Sequence, residues 1–153
     1  MSPLAPSFEQ RVLEGFATVL AANPDATVPL AYSVDPEYVF TAGQVAIVLD
    51  TWPESTGGIV AITDYTVTDD PSLSNSVIGV QVTIWHKDRL TVKAIAADVF
   101  NLIHGRARGM LGTITLVSAL RTSGTSLGQD SNERQGRVEN YYLGVYRPST
   151  NRL

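Results

Sequence analysis

With 153 residues, of which 44% are hydrophobic and 17% charged, the chain has the size and composition of one globular domain with a single core. The absence of cysteine excludes disulfides, thiolate metal sites and a cysteine nucleophile. A net charge of -4 argues against a nucleic-acid-binding domain, which would be basic. The sequence contains neither a signal-peptide pattern at its start nor an apolar run near the roughly 20 residues that span a bilayer. We therefore expect a soluble, unexported chain.

The charge is divided along the sequence. Residues 1–75 contain ten acidic residues and one basic residue, Arg11, whereas residues 76–153 contain five acidic and ten basic residues. The two halves therefore have net charges of -9 and +5. Such an asymmetry suits complementary charged surfaces. The alternative is that the halves interleave in the fold and the charges mix, and the sequence favours neither reading.

The first predicted element is a helix over residues 7–23. Ser7 and Gln10 have the spacing of a capping box, apolar residues recur at helical intervals, and Asn23 followed by Pro24 ends the pattern. Four prolines interrupt the next thirty or so residues. Only residues 44–50 (QVAIVLD) resemble a short strand there.

The second half of the chain has a stronger pattern. Residues 58–68 and 76–86 are predicted strands joined by a turn, and the second strand places Ile78, Val80, Val82 and Ile84 on one face. A helix follows, with Asp88 as its cap and His104 near its end. Its predicted inner stripe comprises Val92, Ile95, Ala96, Val99 and Ile103.

Two more strands are predicted over residues 113–121 and 138–147, with a long polar segment between them. The fold class expected from this order is α+β: a small mixed or antiparallel sheet of about four strands flanked by two helices, with a long projecting loop or hairpin. We expect one domain over residues 1–153, a flexible assembly arm over residues 122–136 and a C-terminal tail over residues 148–153. Loops this long are usually functional or disordered.

One motif suggests an enzyme but fails on context. Residues 124–128 (GTSLG) match the G-x-S-x-G nucleophile elbow, which places a serine between a strand and a helix and is followed by aspartate and then histidine. No helical pattern follows Ser126, and the last histidine, His104, precedes it. Asp130 and Asn132 begin like a calcium loop, yet the glycine and glutamate that the motif requires are missing. We predict no enzyme, no cofactor and no metal site, which leaves a non-enzymatic assembly or binding domain.

Several segments together resemble a known family: SFEQRVLEGFATVLAANPD, TAGQVAIVLDTWPES, ITDYTVTDDPSLSNSVIGVQV, ADVFNLIHG and RTSGTSLGQDSNERQGRVENYYLGVYRPS. In this order, over nearly the whole chain, they are similar to the tail terminator or minor capsid proteins of long-tailed phages of actinobacteria. The resemblance implies a small sheet flanked by helices with a projecting hairpin or loop. It also implies a homo-oligomeric ring, hexameric in the family, that caps the tail tube, stops its polymerisation and provides the surface for joining the head.

The partners implied are further copies of the chain, the major tail tube protein and a head-tail connector or stopper protein, with no specific nucleic acid and no membrane. The expected location is the head-proximal end of the tail in the virion, after assembly in the host cytoplasm. Two alternatives stay open at this point. One is a stopper or adaptor ring of the connector, and the other is a small-molecule binding module, because a small sheet with helices is also a common ligand scaffold.

Candidate site residues are therefore interface residues. Charged residues in and beside the arm are the first group, and two residues of the acidic half are the second. The set is Arg121, Asp130, Glu133, Arg134 and Arg137, with Trp52 and Glu54.

Overall fold

A computed structural model describes residues 4–33, 43–51 and 57–152. These residues form two helices and one seven-stranded mixed sheet. In chain order the elements are α1 (Phe8–Ala21), β1 (Leu30–Ala31), β2 (Val45–Leu49), β3 (Ile59–Asp69), β4 (Asn75–His86), α2 (Arg89–Ile103), β5 (Gly109–Leu111), β6 (Ile114–Gln129) and β7 (Gln135–Tyr146). Within the described ranges neither helix is long and apolar enough to cross a membrane.

The predicted fold class is wrong in its strand number and in its balance of helix and strand. The sheet has the order β1-β2-β3-β4-β7-β6-β5 and curves into a half-barrel, so the protein is mostly β rather than α+β with about four strands. The strands β1 and β5 have only two and three residues, too few to produce a recognisable alternation of apolar and polar residues. Strands β1, β2 and β3 are parallel, and the other pairs are antiparallel.

Both helices pack on one face of this sheet. The hydroxyl of Ser7 caps α1 by accepting the Gln10 N–H at 3.1 Å, and Asp88 caps α2 by accepting the Leu90 N–H at 3.0 Å. The predicted inner stripe of α2 is confirmed, since all five residues are buried. Below the helices lies the apolar row of β4, whose four predicted inward residues are all fully buried. The core therefore lies between the helices and the central strands.

Strand β4 divides the two halves of the chain. Its residues pair with β3 on one side and with β7 on the other, over almost its entire length. Strands β1 to β3 therefore lie on one side of β4 and strands β5 to β7 on the other. The strands of the acidic and basic halves do not interleave within the sheet. Helix α1, however, crosses beneath strands of both sides, and its Glu9 forms an ion pair with Arg147, the residue after β7. The strands of the two halves are therefore separate, whereas charges of α1 mix with those of the basic side.

The polar segment between the last two predicted strands is a β-hairpin rather than a loop. Strand β6 continues to Gln129, β7 begins at Gln135, and residues 130–134 form the turn between them. The pairing is interrupted by three register shifts, between residues 116 and 118, 121 and 123, and 126 and 128. Segment 122–136 is thus the distal part of a paired ribbon, and its proposed role as a flexible assembly arm stays a prediction.

We expect Phe16→Ala to lower the free energy of unfolding by about 3–5 kcal/mol, because the change leaves a cavity in a fully buried position against Tyr141. Urea unfolding followed by circular dichroism measures this difference. Leu120→Ala is the matched control, since the Leu120 side chain is half exposed and its truncation should change the free energy by no more than about 0.5 kcal/mol. Equal losses for both variants would contradict the placement of α1 in the core.

Candidate assembly surfaces

The turn of the hairpin is built around one carboxylate. Asp130 Oδ1 accepts the N–H groups of Asn132 at 2.9 Å and Arg134 at 2.8 Å, and its Oδ2 accepts the Arg134 Nε–H at 2.8 Å. Glu133 adopts a φ of 63°, and its N–H donates to the Asp130 carbonyl at 3.2 Å. Partial burial opposes ionisation of Asp130, yet the Arg134 and Asn132 N–H groups and the Arg134 guanidinium hold the pKa of that carboxyl below its usual value. The turn is thereby closed by its own charged pair.

Arg134 also ties the turn to the end of β4. Its side chain is 2% exposed, and its guanidinium lies over the Trp85 ring, 5.9 Å from the ring centre. The same ring covers Gly136, where a Cβ atom would come within 2.3 Å of it. The hairpin tip is therefore held against the sheet by packing on Trp85 as well as by strand pairing.

A second charged cluster lies where the hairpin passes α2. Arg137 Nε donates to Glu139 Oε1 at 2.5 Å, and Arg121 Nη1 lies 3.8 Å from Glu139 Oε2. The Glu139 side chain is 1% exposed, whereas those of Arg121 and Arg137 are 39% and 26% exposed. Together with Lys93 of α2 they line a cleft of about 300 Å³. We call this group, comprising Lys93, Arg121, Arg137 and Glu139, the basic cleft.

Aromatic stacking fixes the position of one of these cations. The Arg121 guanidinium lies 4.5 Å from the centre of the Phe100 ring, and that ring stacks on His104 with centroids 4.6 Å apart. His104 Nδ1 also accepts the Arg121 N–H at 3.0 Å. The end of α2 thus holds both the backbone and the guanidinium of Arg121 in place. A planar guanidinium held in this way presents its N–H edge to the cleft and suits a carboxylate.

The acidic side of the sheet contains carboxylates that no described cation pairs with. Asp50 directly follows β2 and has a φ of 51°, and its Oδ1 accepts the Thr63 hydroxyl at 2.8 Å. Asp64 lies on the neighbouring strand, where burial and then the charge of Asp50 raise the pKa of its carboxyl. Within the described residues neither carboxylate forms an ion pair. We call Asp50 and Asp64 the acidic pair.

The face of the sheet opposite the helices carries exposed apolar residues. Tyr65, Tyr142 and Leu120 lie in one row that crosses four strands, with Gly79 of β4 between the two tyrosines. The Tyr65 and Tyr142 rings meet edge to face over Gly79, with centroids 6.5 Å apart. Each of the three side chains is at least 36% exposed. A contiguous exposed apolar row of this kind is typical of a surface that contacts another protein.

The predicted interface residues fall into three groups. Arg121 and Arg137 are brought together in the basic cleft, Asp130 and Arg134 pair with each other inside the turn, and Glu133 is exposed at its tip. Two further predicted residues, Trp52 and Glu54, lie outside the described residues. Sequence reasoning missed two residues of the cleft, Lys93 and Glu139. Glu139 could have been found, because it occupies an inward position of β7, in step with Tyr141 and Leu143.

The serine of the elbow-like motif lies within a strand. Ser126 belongs to β6 and is paired with Arg137, so it does not occupy a turn between strand and helix. His104 is engaged with the Arg121 backbone, as described above. In the parts of the chain that the structure describes, no three carboxylate or imidazole side chains cluster as metal ligands would.

Comparison with known proteins identifies the family. The model of the bacteriophage tail terminator protein family matches residues 20–147, from the end of α1 to the residue after β7. The chain belongs to this family. No curated protein matches the chain by sequence. Among solved structures, a chain from the virion of a native gene transfer agent particle is similar, with 17% identity, a TM-score of 0.53 and coverage of 65% of this chain and 78% of that chain.

The family match confirms the resemblance to tail terminators, and the association with actinobacterial phages stays a prediction. The similarity to the gene transfer agent chain concerns the fold alone at this level of identity. As a tail terminator, the protein is a structural component of the phage particle. The surfaces described above are therefore candidates for contacts with other virion proteins.

We expect the Asp130 carboxylate to stabilise this tail terminator in a pH-dependent way. Because its folded pKa is lowered, its contribution is complete above the unfolded pKa of about 4 and is lost as the pH falls through the folded value. Asp130→Asn should lower the melting temperature at pH 7, and the difference from the wild type should shrink below about pH 4. Thermal melts of both proteins from pH 7 down to about pH 2 measure this difference. Glu133→Gln is the control, since this exposed carboxylate forms no ion pair within the described residues. A pH-independent effect of Asp130→Asn would contradict the assignment.

Proposed function

We propose that the protein is a tail terminator that assembles into a homo-oligomeric, hexameric ring. The ring caps the finished tail tube, stops its polymerisation and provides the surface that joins the head. The observation that carries the proposal is that, in a member of this family, the strands of the acidic half and those of the basic half lie on opposite sides of β4. A ring built from identical subunits requires two different, complementary surfaces on each subunit. The acidic side and the basic side supply such a pair.

The other surfaces fit the remaining contacts of a terminator. The outer part of the hairpin exposes residues near its turn, among them Leu127 and Glu133, which are available to the tail tube protein or the connector. The exposed row of Tyr65, Tyr142 and Leu120 offers a further apolar surface of the kind that subunit interfaces bury. The proposed partners are therefore the major tail tube protein, a connector or stopper protein and other copies of the chain. The ring would lie at the head-proximal end of the tail after assembly in the host cytoplasm.

We expect the purified protein to form rings of about six subunits as its concentration is raised. Native mass spectrometry over a concentration series measures the subunit number, and negative-stain electron microscopy shows whether the assembly is closed. When the protein is added to the polymerising tail tube protein of the same phage, the tubes should stop at shorter lengths. Rings that bind the connector but leave tube length unchanged would instead indicate a stopper or adaptor. A protein that neither assembles nor shortens the tubes would contradict the proposal.

We expect Leu127→Asp to reduce tube capping while leaving ring formation unchanged. Leu127 is 45% exposed and lies at a register shift near the tip of the hairpin, so the substitution alters the contact surface rather than the core. The matched control is Leu73→Asp, which places the same charge on a leucine that is 49% exposed in the β3–β4 turn. Tube lengths in electron micrographs compare the two variants. Equal capping by both would mean that the hairpin tip does not contact the tube.

A further inference from the structure

We propose that the basic cleft of one copy binds the acidic pair of a second copy. Lys93, Arg121 and Arg137 would then contact Asp50 and Asp64 of the neighbouring subunit. This inference rests on the proposed ring and names the contact that closes it. The contact is heterologous, because the two surfaces lie on opposite sides of β4 and each copy uses both.

The cleft contains more cationic donors than the protein itself uses. Two guanidinium groups and one ammonium group surround a single carboxylate, Glu139, which leaves a local excess of two positive charges. Within the described residues, the Arg121 guanidinium approaches an acceptor only at 3.8 Å, and the Arg137 guanidinium uses only its Nε–H. The remaining N–H groups are available to an acceptor from outside. Carboxylates suit guanidinium groups because two parallel hydrogen bonds can form.

The floor of the cleft carries an unsatisfied group as well. Glu139 Oε2 is buried and accepts no hydrogen bond within the described residues. Gly124 on the adjacent strand leaves the space that this oxygen occupies, since a Cβ atom there would come within 2.1 Å of it. The carboxylates of a second copy can accept from the arginine N–H groups that Glu139 leaves unused.

The acidic pair cannot reach the basic cleft within one copy. Asp64 and Arg121 lie in the same row across the sheet, in the order Asp64, Val80, Tyr141 and Arg121. Three strand spacings separate them, which corresponds to about 14 Å. The two residues between them are fully buried beneath the helices. At physiological salt, interactions between exposed charges are largely screened beyond about 8 Å. Each surface is therefore left without its counter-charge in the monomer and finds one on a neighbour.

The geometry at the acidic pair also favours a role in binding. Asp50 has a positive φ, a conformation that non-glycine residues adopt rarely and that is concentrated at functional sites. It follows the last residue of β2, and β1 pairs only with the first two residues of that strand. Asp50 therefore lies at the edge of the described sheet. Burial and the nearby Asp50 charge hold the pKa of Asp64 above its usual value, and a neighbour's guanidinium would relieve that unfavourable interaction.

The test is charge reversal at both surfaces, with ring formation measured by native mass spectrometry and analytical ultracentrifugation. Wild-type rings are measured first. Lys93→Glu and Arg121→Glu should each raise the concentration at which half of the protein is in rings by about tenfold or more, and Asp64→Lys should do the same. The double variant Arg121→Glu with Asp64→Lys should regain ring formation to within about threefold of the wild type, because the restored pair has opposite charges again.

Two of the variants, Lys93→Glu and Asp50→Asn, are chosen because they should not disturb the fold. Lys93 is exposed on α2, and Asp50→Asn neutralises the acidic side while retaining a residue that tolerates positive φ. The control is Lys87→Glu, which makes the same charge change at an exposed lysine that does not line the cleft and should alter the half-ring concentration less than about threefold. Near-ultraviolet circular dichroism checks the fold of each variant.

The outcomes separate this inference from the proposed function. If wild-type rings form and the reversals at the cleft and at the acidic pair behave like Lys87→Glu, the ring is closed by other contacts and this inference is wrong. The same conclusion holds if both single variants weaken the rings but the double variant shows no recovery. If the wild type forms no rings at any concentration or on the tail tube, the proposed ring and this contact are both rejected.

Discussion

The structure depends on strand β4, which is paired on both sides and buried beneath both helices. Its four inward residues form the fully buried centre of the core, and its neighbours β3 and β7 come from different halves of the chain. Because a strand in the middle of a sheet can have only two neighbours, this pairing assigns each half to its own side. The charge asymmetry of the sequence thereby becomes an asymmetry between the two sides of the sheet, although α1 carries acidic residues beneath both sides.

The sequence predicts the parts of the fold that use apolar periodicity and fails where backbone pairing dominates. Both helices and the β3–β4 hairpin are confirmed, because a buried stripe repeats along each of them. The outer part of β6 contains glycine, serine and threonine instead of alternating apolar residues, and it is exposed along its length. It is a strand because its backbone pairs with β7. Amino-acid composition does not predict this pairing. Very short strands such as β1 are invisible for the same reason.

The candidate assembly surfaces were predictable to a similar extent. Charge alone pointed to Arg121 and Arg137, which the fold brings to one carboxylate. It also pointed to Asp130 and Arg134, which close the hairpin turn between themselves. The Arg121–Arg137 pair and the Asp130–Arg134 pair differ in the direction in which their side chains leave the sheet. The register shifts in β6 set that direction within the hairpin. The sequence pattern alone does not predict these side-chain directions.

The three register shifts in β6 have a consequence for subunit number. Bulges of this kind increase the local twist of a strand, and twist sets the angle between the two sides of the sheet. In a closed assembly of identical subunits, the angle between the two contact surfaces of a subunit determines how many copies complete one turn. If the chain forms the proposed ring, removing one bulge would therefore change the diameter of that ring before it changed the strength of any single contact. In the proposed ring, the twist of the hairpin would thus help to set the width of tube that the ring fits.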